Sequence, residues 1–190
     1  MTAWMQTLLG RMGAGARGRV DAGALHAAVV GQARDPRFYE VLAVADTVEG
    51  RFEMLCVHAF LVLNRLKREG GAGAPLGQAM VDTLFLDLDR ALREMGVGDL
   101  SVGKRMKTLA QAFYGRLEAY EGGLTPSAGV LESAVARNVF ADGQPVPGAA
   151  DRLARYMRAS VSELAAADLG ALRAGKLRLA ALPASDGGPG

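Results

Sequence analysis

Three aspartates and one Cys-x-His pair are the side chains best suited to chemistry in this 190-residue chain. Asp82, Asp87 and Asp89 could hold a divalent cation against a diphosphate, as in all-α prenyl-type enzymes. Asp82 and Asp89 stand two turns apart on one helix face, and Asp87 points elsewhere. Such a site wants carboxylates facing each other from two helices, and the sequence offers no second acidic motif. Arg93 follows Asp89 by four residues and Arg90 follows Asp87 by three, the spacing of local ion pairs. The expectation is therefore a solvated or partner-contacting face rather than a metal site.

Cys56 and His58 point about 200° apart on a helix and cannot chelate together. His26 is the other histidine, so haem ligation by His26 and His58 is one alternative reading, and a packed, hydrogen-bonded histidine the other. A single cysteine excludes an intrachain disulfide framework and the usual four-cysteine zinc sites. The glycine-rich pieces at 10–18 and 70–77 follow no strand and carry no Lys-Ser/Thr ending, so they do not cradle phosphate. No nucleophile elbow or triad setting occurs. The expectation is a protein that is not an enzyme, with no catalytic residues, metal or cofactor.

Lys104, Arg105 and Lys107 gather in the first turns of a helix, where the macrodipole favours acids. That local conflict reads either as a solvated face or as a contact with an acidic partner, ribosomal RNA phosphate or membrane headgroups. Tyr114 and Arg116 fall near the edge of the apolar stripe of the same helix, where an aromatic and a guanidinium can anchor a partner.

The elements that position these residues are helical. Half of the residues are hydrophobic and only 6% aromatic, so the core must be built mostly of Leu, Val, Ala and Met. Apolar residues recur at helical spacing over about 21–33, 51–68, 75–95, 99–121, 126–139 and 149–164, with a short helix towards Leu172. Asp35-Pro36, Gly70 to Ala74, Gly96-Gly98 and Gly122-Gly123 interrupt them. Asp21 is the expected cap of the first of these helices, and Asp99 or Ser101 of the fourth. No strand-like alternation appears. The fold class is all-α, a single globular domain of about six to eight helices. Residues 1–20 read as an N-terminal amphipathic and flexible segment, 21–182 as the helical domain, and 183–190 as a disordered tail. Trp4, Met5, Leu8, Leu9 and Met12 share a face, which suits either docking on the body or lying in a membrane interface. A net charge of +2 argues against a dedicated DNA or RNA binder.

Two blocks go further than periodicity. The first runs Gln32-Ala33-Arg34-Asp35-Pro36-Arg37-Phe38-Tyr39 and on through Ala45-Asp46-Thr47-Val48-Glu49-Gly50-Arg51-Phe52-Glu53-Met54. The second is Arg93-Glu94-Met95-Gly96-Val97-Gly98-Asp99-Leu100-Ser101-Val102-Gly103-Lys104, followed by Phe113-Tyr114-Gly115-Arg116. With His58, Leu63, Asp82, Phe85 and Asp89 between them, this order resembles the ubiquinol–cytochrome c chaperone family of alphaproteobacteria and mitochondria, over roughly 25–120. A proline often precedes the Asp-Thr pair in that family, where this chain has Ala45. The biased composition and the lack of a long basic presequence favour a bacterial member.

The resemblance implies a non-enzymatic assembly chaperone for respiratory complex III (ubiquinol–cytochrome c reductase). It would bind newly made cytochrome b and work on the cytoplasmic side of the inner membrane as a peripheral protein; the mitochondrial members work with a small partner protein and associate near the ribosomal tunnel exit, which makes the ribosome a further candidate partner. Arg93, Glu94, Asp99, Lys104, Arg105, Lys107, Tyr114 and Arg116 are the expected partner surface, with Arg51, Glu53 and Asp46 second to them. Met54, Met80, Met95, Met106 and Met157 are candidates for an adaptable client-binding face, with Met80 and Met106 expected in the core. Haem handling, or a peripheral membrane adaptor anchored by residues 4–12, is the alternative.

Overall fold

In a computed structural model that describes residues 22–125, 129–141, 143 and 145–183, prolines, glycines and short polar caps divide the described residues into eight α-helices. They are α1 (Gly23–Ala33), α2 (Pro36–Glu40), α3 (Val48–Arg68), α4 (Ala74–Glu94), α5 (Asp99–Gly123), α6 (Val130–Val139), α7 (Ala149–Ala165) and α8 (Leu169–Arg173), with a 3₁₀ turn at Gly70–Ala72. No strand occurs among the described residues, so the expected all-α class holds. The readings placed on residues 4–12, Asp21 and Pro126 lie outside the described residues.

Local chemistry explains the short α2. The Asp35 carboxylate accepts the Arg37 backbone N–H at 3.0 Å, Pro36 sits in the first turn, and the Arg37 guanidinium folds back on the same carboxylate. That orients Phe38, which is buried edge-on to His58 and Tyr156 with ring centroids 5.2 Å away.

α3 is the axis of the molecule. It packs against α1, α4, α5, α6 and α7. The helical spacing over 51–68 predicts one buried face through Phe52, Leu55, Ala59, Val62, Leu63 and Leu66. Instead Met54, Cys56, Val57, His58, Phe60 and Leu61 are buried too, while Phe52 and Leu55 are only half-buried. The nearly unbroken apolar run from Met54 to Leu63 is the signature of a helix covered on all sides. Each large aliphatic or aromatic side chain fully buried there contributes about 1.5–3 kcal/mol. Arg65, 8% exposed, is the polar exception. Its guanidinium donates to the carbonyls of Leu164 (2.9 Å) and Ala167 (2.5 Å) and pairs with Glu69 at 2.6 Å. It thereby satisfies acceptors left over at the C-terminal end of α7.

Candidate functional site

The first of the two sequence blocks ends in a built turn. Thr47 Oγ1 accepts the Gly50 N–H at 3.1 Å and starts α3, and Arg51 Nε donates to Asp46 at 2.6 Å. Gly50 lies so close to the preceding turn that a Cβ would stand 1.9 Å from the Ala45 carbonyl oxygen. One turn further on, Glu53 is 6% exposed and receives the Arg116 guanidinium from α5. Arg116 Nε lies 2.8 and 2.7 Å from the two carboxylate oxygens, Nη2 makes a further contact, and Nη1 donates to the Ala112 carbonyl at 3.2 Å. The guanidinium also lies 5.7 Å from the Phe52 ring centroid. This hydrogen-bonded carboxylate raises the Arg116 pKa further above its already high value.

The second block forms the corner between α4 and α5. Gly96 takes φ +82°, and the N–H groups of Gly96 and Val97 return to the carbonyls of Arg93 and Leu92 at 2.9 and 3.1 Å. This is a Schellman ending, and the left-handed residue suits glycine. Arg93 staples the corner, with Nε on Asp89 at 2.7 Å and Nη1 on Asp99. The expected cap is corrected here: Gly98 is the N-cap of α5 with no side-chain bond, and Asp99 stands in the first turn as an ion-pair partner.

The expected partner residues thus divide. Arg93, Glu94, Asp99, Lys104, Arg105 and Lys107 are exposed around the corner, where Leu100 is 100% and Met95 56% exposed. Arg51 and Asp46 are exposed at the start of α3, beside a shallow depression they share with Arg34, Pro36, Tyr39 and Glu40. Glu53 and Tyr114 are interior. Tyr114 packs on Phe85 and Phe113, and burial pushes its phenol up to about 12. Arg116 is committed to Glu53. The rise of an α-helix puts Arg116 about 25 Å along α5 from the corner, so the two groups are not one patch. Three of the five methionines are core as well: Met54, Met80 and Met157 are fully buried, Met106 is half-buried, and only Met95 is exposed.

The rival chemistries meet occupied side chains. His58 Nδ1 lies 2.8 Å from the Met54 carbonyl and Nε2 lies 2.9 Å from the Tyr156 hydroxyl, so neither nitrogen is open to haem iron. Burial lowers its pKa to about 4, which fixes the neutral ring. The Met54 carbonyl must accept from Nδ1–H, hence Nε2 accepts from Tyr156. His26 lies 3.6 Å from Asp87, with burial lowering its pKa against that carboxylate. Asp82 accepts from Gln78 at 2.8 Å, Asp87 also stands 3.6 Å from Arg90, and Asp89 holds Arg93. Among the described residues no cluster of three His, Cys, Asp or Glu could hold a metal. Burial raises the Cys56 thiol well above its usual range.

The sequence reading missed Arg65, Arg152, Tyr156 and Ser160, buried polar groups that tie elements together. Their signal was present as polar residues inside apolar stripes.

A profile of the ubiquinol-cytochrome C chaperone family matches residues 40–180. The chain belongs to this family. The match runs well past Tyr120, where the sequence resemblance ended, and so includes α6 to α8. The crystal structure of the Cbp3 homolog from Brucella abortus is 39% identical and superposes with a TM-score of 0.74 over 85% of this chain and 89% of that one. Ubiquinol-cytochrome-c reductase complex assembly factor 1 of Xenopus laevis is 25% identical over 127 residues, 67% of this chain and 64% of that protein. The human protein of that name is likewise 25% identical, with 42% of its length covered. The chain therefore matches less than two thirds of these eukaryotic relatives. No described helix of this chaperone-family member is long and apolar enough to cross a membrane.

Proposed function

We propose that this chain is a non-enzymatic assembly chaperone for ubiquinol–cytochrome c reductase, with newly made cytochrome b as its client. The family match over residues 40–180 carries the reading, and the relatives named as assembly factors of that complex support it. The contacts of the side chains best suited to chemistry support the non-enzymatic part of this reading. The histidines, aspartates and cysteine that could have done chemistry are spent on internal contacts or buried in the core.

In this reading the exposed corner of α4 and α5 meets the client or its surroundings. Lys104 and Lys107 follow Leu100 on the solvent face of α5 at i+4 and i+7, and Arg105 flanks them. Their charge would speed encounter and select partners more than it would hold them. The protein works on the cytoplasmic side of the inner membrane. A ribosomal contact near the tunnel exit and a peripheral membrane contact through residues 4–12 belong to the same proposal. Ribosome cosedimentation and liposome flotation test them separately.

The direct test is recovery of cytochrome b with the tagged chain after in vivo photo-crosslinking from the corner. Crosslinks and copurification are expected, falling about tenfold when Lys104, Arg105 and Lys107 are changed to Glu. Undiminished recovery from a folded triple variant would remove the corner from the client surface, and no cytochrome b with the unmodified chain would refute the client assignment.

A further inference from the structure

Gly175 turns the chain out of α8, and residues 176–183 then run without joining a helix or sheet. Leu177, Leu179, Ala180 and Leu182 pack on the core, while Arg178 and Ala181 are exposed. Two side chains of α7 take hold of this strap by its main chain. Ser160 Oγ accepts the Ala180 N–H at 3.2 Å, and the Arg152 guanidinium donates to the Pro183 carbonyl at 2.8 and 3.2 Å. Pro183 is thus anchored where the sequence placed the start of the tail.

The spacing is that of an extended peptide. Arg152, Tyr156 and Ser160 form one i, i+4, i+8 row of α7, about 12 Å long. Three residues of extended chain, from Ala180 to Pro183, span about 10 Å antiparallel to it. Behind the row, two hydrogen bonds have a fixed direction. His58 donates to Met54, Tyr156 donates to His58, and Ser160 Oγ serves as the acceptor for the Ala180 peptide N–H. Ser160 is 0% and Arg152 5% exposed, so both are preset groups facing a chain segment rather than solvent.

We propose that this row of α7 is a docking groove for an extended apolar peptide segment, filled in the resting protein by the chain's own residues 176–183. The occupant's chemistry is read from the strap: aliphatic side chains, Leu-Arg-Leu-Ala-Ala-Leu-Pro, with a backbone N–H and a carbonyl placed for Ser160 and Arg152. Recognition through the main chain tolerates sequence, which suits a chaperone in which three of the five described methionines are buried. That the natural occupant is a stretch of client rests on the function proposed above; the groove does not.

The test uses the full chain and a fluorescent peptide of the strap's own sequence, KLRLAALPA, read by anisotropy beside a Gly/Ser control peptide. Leu179→Ser with Leu182→Ser loosens the strap and leaves α7 untouched. Ser160→Cys with Ala180→Cys locks it when oxidised. The loosened variant should bind the peptide at least about tenfold tighter than the parent, because a larger fraction has the groove open. The oxidised lock should bind none, and reduction should restore binding at the weaker level left by a thiol in place of the Ser160 hydroxyl acceptor. A loosened variant with native circular dichroism and a cooperative melt that ignores the peptide would overturn the proposal. So would a lock that binds equally when oxidised and reduced, which decides the matter if the loosened variant does not fold. Either failure leaves the cytochrome b client standing, since that is read in cells by crosslinking.

Discussion

Replacing Arg116 by Ala should cost stability rather than only a contact surface. The change removes the guanidinium from a carboxylate whose side chain is 8% exposed, while the Arg116 side chain itself is 23% exposed. Breaking a fully buried ion pair from one side costs about 3–5 kcal/mol. Partial access to water at Arg116 reduces this to about 2–3 kcal/mol. The Phe52 ring and the Ala112 carbonyl lose their cation in the same change. For a domain of this size the melting temperature should fall by about 4–12 °C. Glu53→Gln and the double variant complete a thermodynamic cycle in urea, with an expected coupling on the order of 2 kcal/mol. A loss below about 0.5 kcal/mol, with coupling near zero, would refute the assignment of this pair as the joint between α3 and α5. If cytochrome b recovery fell while stability held, Arg116 would belong to the partner surface after all.

Three further outcomes follow from the same structure. His58 has its pKa depressed to about 4 in the fold and near 6.5 when unfolded, so it favours the folded state least in acid. Stability should be unaffected by it above pH 6.5 and fall by about 3 kcal/mol as pH drops from 6.5 to 4; urea melts of the parent and His58→Gln should lose parallelism over that window. Gly50→Ala drives a Cβ into the Ala45 carbonyl and should cost about 3 kcal/mol or abolish folding, whereas Gly103→Ala, with open space around it, should be harmless in the same melts. Changing Lys104, Arg105 and Lys107 together to Glu should alter stability by no more than about 0.5 kcal/mol per site, because the described residues give them no ion pair to lose; a large drop in melting temperature would make them structural.

What was legible in the sequence was whatever depends on local spacing. The corner at Gly96, the helix after Pro75 and the long last helix stand where periodicity and caps put them, because neighbouring residues decide them. What depends on distant partners was not. Asp99 reads as a cap until Arg93 claims it. Tyr114 reads as an anchor at a stripe's edge until Phe85 covers it from α4. α3 reads as amphipathic because Phe52 and Leu55 fit the period, yet the run around Cys56 and Phe60 is what five neighbouring helices bury. The same holds for Glu53 and Arg116: each is an ordinary surface charge in one dimension, and 63 residues separate them in sequence.

The function itself is tested most directly by deleting the gene in its host and measuring b-type haem difference spectra and cytochrome b protein in the membranes. Selective loss of cytochrome b and of ubiquinol–cytochrome c reductase, with other oxidases intact and restored by the gene, is the expected result. Normal levels of the reductase in the deletion strain would contradict it.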